Sequence, residues 1–169
     1  IGKAPINITE PINQSSIPTI SNKWTIRGLC LLKSTAKLCQ EYFNKCPHLQ
    51  NLDLENCLQL SSISAIGQCL KIQTLNLHRC LHLSNISVLA QCPKLQTLDL
   101  SWCGQLSDIS ALVKCSKLQT LNLEGCLQLS DISALAQCSK LQTLYIRDCS
   151  QLSDISALEQ CSQLKTLYL

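Results

Sequence analysis

Thirteen cysteines in 169 residues are the side chains of this sequence with the widest chemical reach. A thiolate can bind zinc, attack an electrophile or pair as a disulfide, and each use demands its own spacing. Metal sites call for clustered ligands such as C-x₂-C, which never occur in this sequence. Most of the cysteines fall instead into two columns of constant spacing. One holds Cys57, Cys80, Cys103, Cys126 and Cys149, the other Cys46, Cys69, Cys92, Cys115, Cys138 and Cys161. Only Cys30 and Cys39 stand outside. Columns of five and six leave an odd total, so pairing cannot be complete within them. The spacing suits small apolar thiols stacked one on the next inside a core, with disulfides and metal as the alternatives. Free thiols in this number point to a reducing compartment, the cytoplasm. Three N-x-[ST] sequons, at Asn7, Asn13 and Asn85, argue the other way. Asn85, however, occupies the position held by Asp108, Asp131 and Asp154 further along, which gives it a local turn role.

Other chemistry finds less support. The histidines His48, His78 and His82 are not set by the pattern beside both a nucleophile and an orienting acid. His78 lies close to Cys80 in sequence, but Cys80 belongs to a packing column, where thiols are inert. The expectation is no catalysis, no metal and no cofactor. A net charge of +3 without a basic run argues against nucleic acid as the partner. No stretch approaches the roughly 18 apolar residues of a membrane span. The chain opens at Ile1 and contains no Met, which reads as a fragment or a processed chain.

The columns exist because the sequence repeats every 23 residues. Leu49–Lys71, Ile72–Lys94, Leu95–Lys117, Leu118–Lys140 and Leu141–Gln163 follow one another in register. Within a unit, Thr97-Leu98-Asp99-Leu100-Ser101 alternates polar and apolar, the mark of a half-buried strand. Asp108 then caps a short segment in which Ile109, Leu112 and Cys115 recur at three-residue spacing, which suits a 3₁₀ turn. A period this short with a dense Leu skeleton specifies a leucine-rich solenoid. The fold class is therefore α/β, a right-handed solenoid with a parallel concave sheet and a short 3₁₀ or helical convex side.

The ends differ from the middle. Ile26-Arg27-Gly28-Leu29-Cys30-Leu31 fits the strand pattern 23 residues ahead of Leu49, making a first coil over 26–48. Leu38, Tyr42 and Cys46, spaced by four, predict an α-helix over roughly 35–45 as an N-terminal helical cap. Residues 1–25, with Pro5, Pro11 and Pro18, read as an extended arm or linker, and 26–169 as the repeat domain. After the five full repeats, 164–169 forms a partial repeat with no polar cap, so this edge is expected to continue in a longer chain.

Cys46 to Cys57 and Cys92 to Cys103 both read C-P-x-L-x-x-L-x-L-x-x-C. This resembles the cysteine-containing repeats of F-box proteins, which present substrates to ubiquitin ligases. The S-D-I-S-A-L segments at 107–112, 130–135 and 153–158 resemble instead bacterial internalins and related secreted leucine-rich proteins. The first resemblance implies the substrate arm of a ligase, the second an extracellular adhesin. A mixture of the two suits an effector of an intracellular bacterium acting in host cytosol. Internalins carry Asn where Cys103 sits.

The copies also separate frame from variation. Asn51, Thr74, Thr97, Thr120, Thr143 and Thr166 form a nearly constant outward column, a structural ladder. The next outward columns vary: Asp53, Asn76, Asp99, Asn122, Tyr145 and Tyr168, then Glu55, His78, Ser101, Glu124 and Arg147, then Asn56, Arg79, Trp102, Gly125 and Asp148. The expected function is binding of another protein across this face. Its candidate residues are Asp53, Glu55, His78, Arg79, Asp99, Trp102, Glu124, Tyr145, Arg147 and Tyr168. Trp102 is the expected anchor, and the tyrosines should stack on adjacent strands. The competing readings are plain cross-strand packing for the aromatics and a solvated surface for the charges. Lys71, Lys94, Lys117 and Lys140 form a further column that should splay into solvent.

Overall fold

The computed structural model describes Ile6–Asn7, Thr25–Arg27 and residues 48–169 of the chain. The expected helix over 35–45 lies outside these residues, as do Cys30, Cys39 and Cys46. Eight short strands form one parallel sheet in chain order. They are β1 (Ile6–Asn7), β2 (Thr25–Arg27), β3 (Asn51–Asp53), β4 (Thr74–Asn76), β5 (Thr97–Asp99), β6 (Thr120–Asn122), β7 (Thr143–Tyr145) and β8 (Thr166–Tyr168). From β3 onward the register advances one repeat per strand, so that Leu52, Leu75, Leu98, Leu121, Leu144 and Leu167 lie opposite one another.

Alternation drives this arrangement. In β3 to β7 the central Leu is buried while its two neighbours are half-buried, because successive side chains point to opposite faces. Each repeat then buries two further side chains from its strand, such as Leu95 and Leu100, both fully inaccessible. A buried Leu contributes about 1.5–3 kcal/mol relative to exposure, so the stack rather than any single coil holds the fold.

Among the described residues five 3₁₀ segments close the opposite side: Ser64–Gln68, Ser87–Gln91, Ser110–Lys114, Ser133–Gln137 and Ser156–Gln160. The first N–H of each is accepted by the side chain two residues before it, that of Ser62 for Ser64. Asp108, Asp131 and Asp154 accept the backbone N–H of Ser110, Ser133 and Ser156 at 2.7, 2.7 and 2.8 Å. Asn85 does the same for Ser87 at 2.8 Å, which is the turn role its column implied. The Ser110 N–H holds the Asp108 carboxyl below the usual carboxylate range. With three residues per turn, Ile109, Leu112 and Cys115 all fall on the inner side and are buried.

The ten described cysteines are buried, and none of them forms a disulfide. They do more than fill space. Cys103 Sγ donates to the Leu77 carbonyl at 3.3 Å and Cys126 Sγ to the Leu100 carbonyl at 3.3 Å, each reaching into the coil before. Cys115 and Cys161 repeat the contact from the other column, to Leu89 at 3.4 Å and Leu135 at 3.3 Å. A thiol is a weak donor, so apolar packing supplies most of the inter-coil attraction and the sulfur bonds add direction. Burial pushes the thiols of Cys92 and Cys138 up to about 11, and those of Cys103 and Cys115 up to about 12.

The N-terminal coil departs from the period. Ile26 pairs with Leu52, an offset of 26 residues, whereas the 23-residue reading would set Ile26 against Leu49. The first coil is thus longer than the rest, as one of different composition can be. The stretch read as an extended arm supplies β1, whose Ile6 pairs with Ile26. No helix among the described residues is long and apolar enough to cross a membrane.

Candidate functional site: the concave face

The ten candidate residues lie on the strands or in the turns that directly follow them, and the structure sorts them into distinct jobs. The column Asp53, Asn76, Asp99, Asn122 is partly frame. Each side-chain oxygen accepts the backbone N–H two residues on, at 3.1, 3.0, 2.8 and 3.0 Å. Those N–H groups fall between the ladder bonds, which run from Leu100 N to Asn122 O and from Trp102 N to Glu124 O. A short Asp or Asn side chain satisfies a donor that the neighbouring strand leaves unused. The variation that looked free is therefore restricted to two residue types until Tyr145 and Tyr168 replace them.

At those two positions the surface changes character. The Tyr145 and Tyr168 rings stack with centroids 4.4 Å apart and planes 3° from parallel. The Arg147 guanidinium sits 5.5 Å from the Tyr168 centroid, a cation–π contact. Aromatic surface and a fixed positive charge thus share one end of the face.

The third column forms the corner after each strand. Asn56, Arg79, Trp102 and Asp148 have φ of 58, 56, 59 and 56°, and Gly125 has 69°. This left-handed conformation suits Gly, Asn and Asp, and disfavours a bulky side chain by roughly 1–2 kcal/mol. Sequence periodicity did not reveal the corner; Asn, Gly and Asp recurring in one column were the available signal. Trp102 holds the conformation while 41% exposed. Its indole lies over Gly125 in the next coil, where an added Cβ would come within 2.7 Å of Cδ2 and 2.9 Å of Cε3. Glycine at 125 therefore serves twice, permitting the corner and seating the ring.

His78 also gains partners that the linear pattern did not supply. Its Nδ1 lies 2.7 Å from Ser101 Oγ, and that hydroxyl in turn donates to Asp99 Oδ1. Asp, Ser and His are the residue types of a hydrolytic triad, but the order is wrong. In a triad the imidazole stands between acid and hydroxyl. Here the hydroxyl stands between acid and imidazole, and Ser101 is only 2% exposed. The arrangement orients a ring and prepares no nucleophile. Glu55, Arg79, Arg147 and Asp148 are exposed, as is the lysine column; Asp53, Asp99 and Glu124 are half-buried. Glu55 accepts from the Asn56 amide at 3.1 Å. Among the described residues no group of three or more His, Cys, Asp or Glu is arranged to hold a metal ion.

Two family models match this sequence. One, described as a BspA-type leucine-rich repeat region in six copies, matches residues 16–111. The other, leucine-rich repeats in two copies, matches residues 93–137. No curated protein matches the chain. Among solved structures, internalin C2 of Listeria monocytogenes is 24% identical, covering 75% of this chain and 74% of its own, with a TM-score of 0.48. The leucine-rich repeat-containing protein LegL7 of Legionella pneumophila is 17% identical, with a TM-score of 0.52 over 89% of this chain. The chain spans 57% of the length of LegL7. At such identities the likeness is one of fold.

Proposed function

This chain belongs to the BspA-type leucine-rich repeat family, and on that premise we propose that it binds another protein across the concave face of its sheet. One observation carries the reading. Trp102 keeps a large exposed ring at a corner whose backbone favours Gly or Asn, a local cost of the kind that clusters at binding sites. The Tyr145–Tyr168 stack with Arg147 adds a second anchor, since Trp, Tyr and Arg dominate interface energetics. The candidate residues from Asp53 to Tyr168 surround these anchors as a polar rim. The test is a hydrogen-exchange footprint of the chain with a captured partner, which should fall on the β3–β8 outward columns and not on the 3₁₀ side.

The proposed role is binding rather than catalysis. The described thiols are buried, and those with shifted acidity are shifted upward, away from the reactive thiolate. The Asp99–Ser101–His78 contact among the described residues has the hydroxyl in the wrong place for attack.

A reducing compartment such as the cytoplasm is part of this reading, supported by ten buried cysteines outside any disulfide. Thiol titration of the denatured chain, purified without reductant, should return close to the thirteen cysteines of the sequence. A count lowered by several disulfides would favour an extracellular adhesin of the kind the S-D-I-S-A-L segments imply.

A further inference from the structure

The Asp99–Ser101–His78 contact fixes more than a rotamer. A carboxylate oxygen only accepts, so the Ser101 hydroxyl proton is directed to Asp99 Oδ1. The hydroxyl oxygen facing His78 at 2.7 Å can then only accept in its turn. The single ring proton of a neutral His78 therefore sits on Nδ1, and Nε2 keeps its lone pair. Asp99 is held from the far side by the Asn122 amide, 3.3 Å from Oδ2. With Ser101 buried at the centre, this relay links side chains from the coils of β4, β5 and β6.

Among the described residues nothing hydrogen-bonds His78 Nε2, although the ring stands half-buried in an outward column. The same column places Glu55 one coil before it and Glu124 two coils after. We infer that Nε2 of His78 is a specificity-determining acceptor, taking a hydrogen bond from a lysine or arginine side chain of the partner protein. Ser101 and Asp99 are its positioning residues. The flanking carboxylates favour a cationic donor over a neutral hydroxyl, since opposite charge selects among otherwise equal donors. This inference rests on the concave face being the binding surface.

Two measurements test it. The first needs no partner: nitrogen NMR of the ¹⁵N-labelled chain at a pH where imidazole is neutral. His78 should show the Nδ1–H tautomer, and Ser101→Ala should abolish that preference. An Nε2–H tautomer in the native chain overturns the proposal. The second uses a random peptide library displayed on phage, selected against the chain. Recovered binders should be enriched in lysine or arginine, and His78→Phe, which keeps a ring and deletes the acceptor, should weaken them at least ~10-fold. Recovery of no basic binder, or unchanged affinity in His78→Phe, overturns it. Trp102→Ala separates the two levels. If that variant loses binding while His78→Phe does not, the acceptor role alone fails. If neither variant loses binding, the concave surface itself is wrong.

Discussion

Leu98→Ala is expected to lower the unfolding free energy by about 2–5 kcal/mol in urea denaturation. Leu98 is fully buried at the centre of β5, in register with Leu75 on one side and Leu121 on the other. A cavity there weakens two inter-coil contacts at once. Because each coil touches only its neighbours, damage in the middle also uncouples the two halves. The urea transition should broaden or split as well as shift. Leu167→Ala is the control. It occupies the same column in β8 but is 37% exposed, so its cost should stay below about 1.5 kcal/mol. Equal losses at the two sites would mean that stability is not carried by stacking.

Trp102→Gly is expected to cut partner affinity by at least ~30-fold, about 2 kcal/mol, while leaving stability within ~1 kcal/mol of the parent. Two opposed terms explain the small effect on stability. Removing the indole loses its packing on Gly125, but it also releases an L residue from φ 59°. Binding through the proposed face would enjoy no such compensation, because there the ring itself would be the contact. Gly125→Ala tests the same seat from below. Its methyl would meet the indole at 2.7 Å, at a backbone φ of +69°, so it should both destabilise the chain and weaken binding by moving the ring. A Trp102→Gly chain that binds normally would reduce the indole to a packing residue.

The repeat made the architecture legible because one period fixes strand, turn and column together. Leu98, Ile109 and Cys115 could be assigned inward by spacing alone, and the structure buries all three. The Asp108 column could be read as caps because Asp at the start of a short turn has one dominant use. The strand-end column was harder. Asp53, Asn76, Asp99 and Asn122 look variable in sequence, yet Asp and Asn supply the same acceptor to the same N–H. Variation between isosteres does not mark a free position. The corner column was obscured by Arg79 and Trp102, which do not advertise a left-handed backbone. The link from His78 to Ser101 spans 23 residues and depends on strand register, which no local pattern specifies. The offset of 26 in the first coil escaped because the repeat has no second copy of that coil to compare.

The most direct measurement is hydrogen exchange of the chain with and without its captured partner. Protection should concentrate on the backbone around Ser101, Trp102, Glu124 and Arg147 and leave the 3₁₀ segments such as Ser110–Lys114 and Ser133–Gln137 unchanged. Protection confined to those segments, with the outward strand columns unaffected, would contradict binding through the concave face.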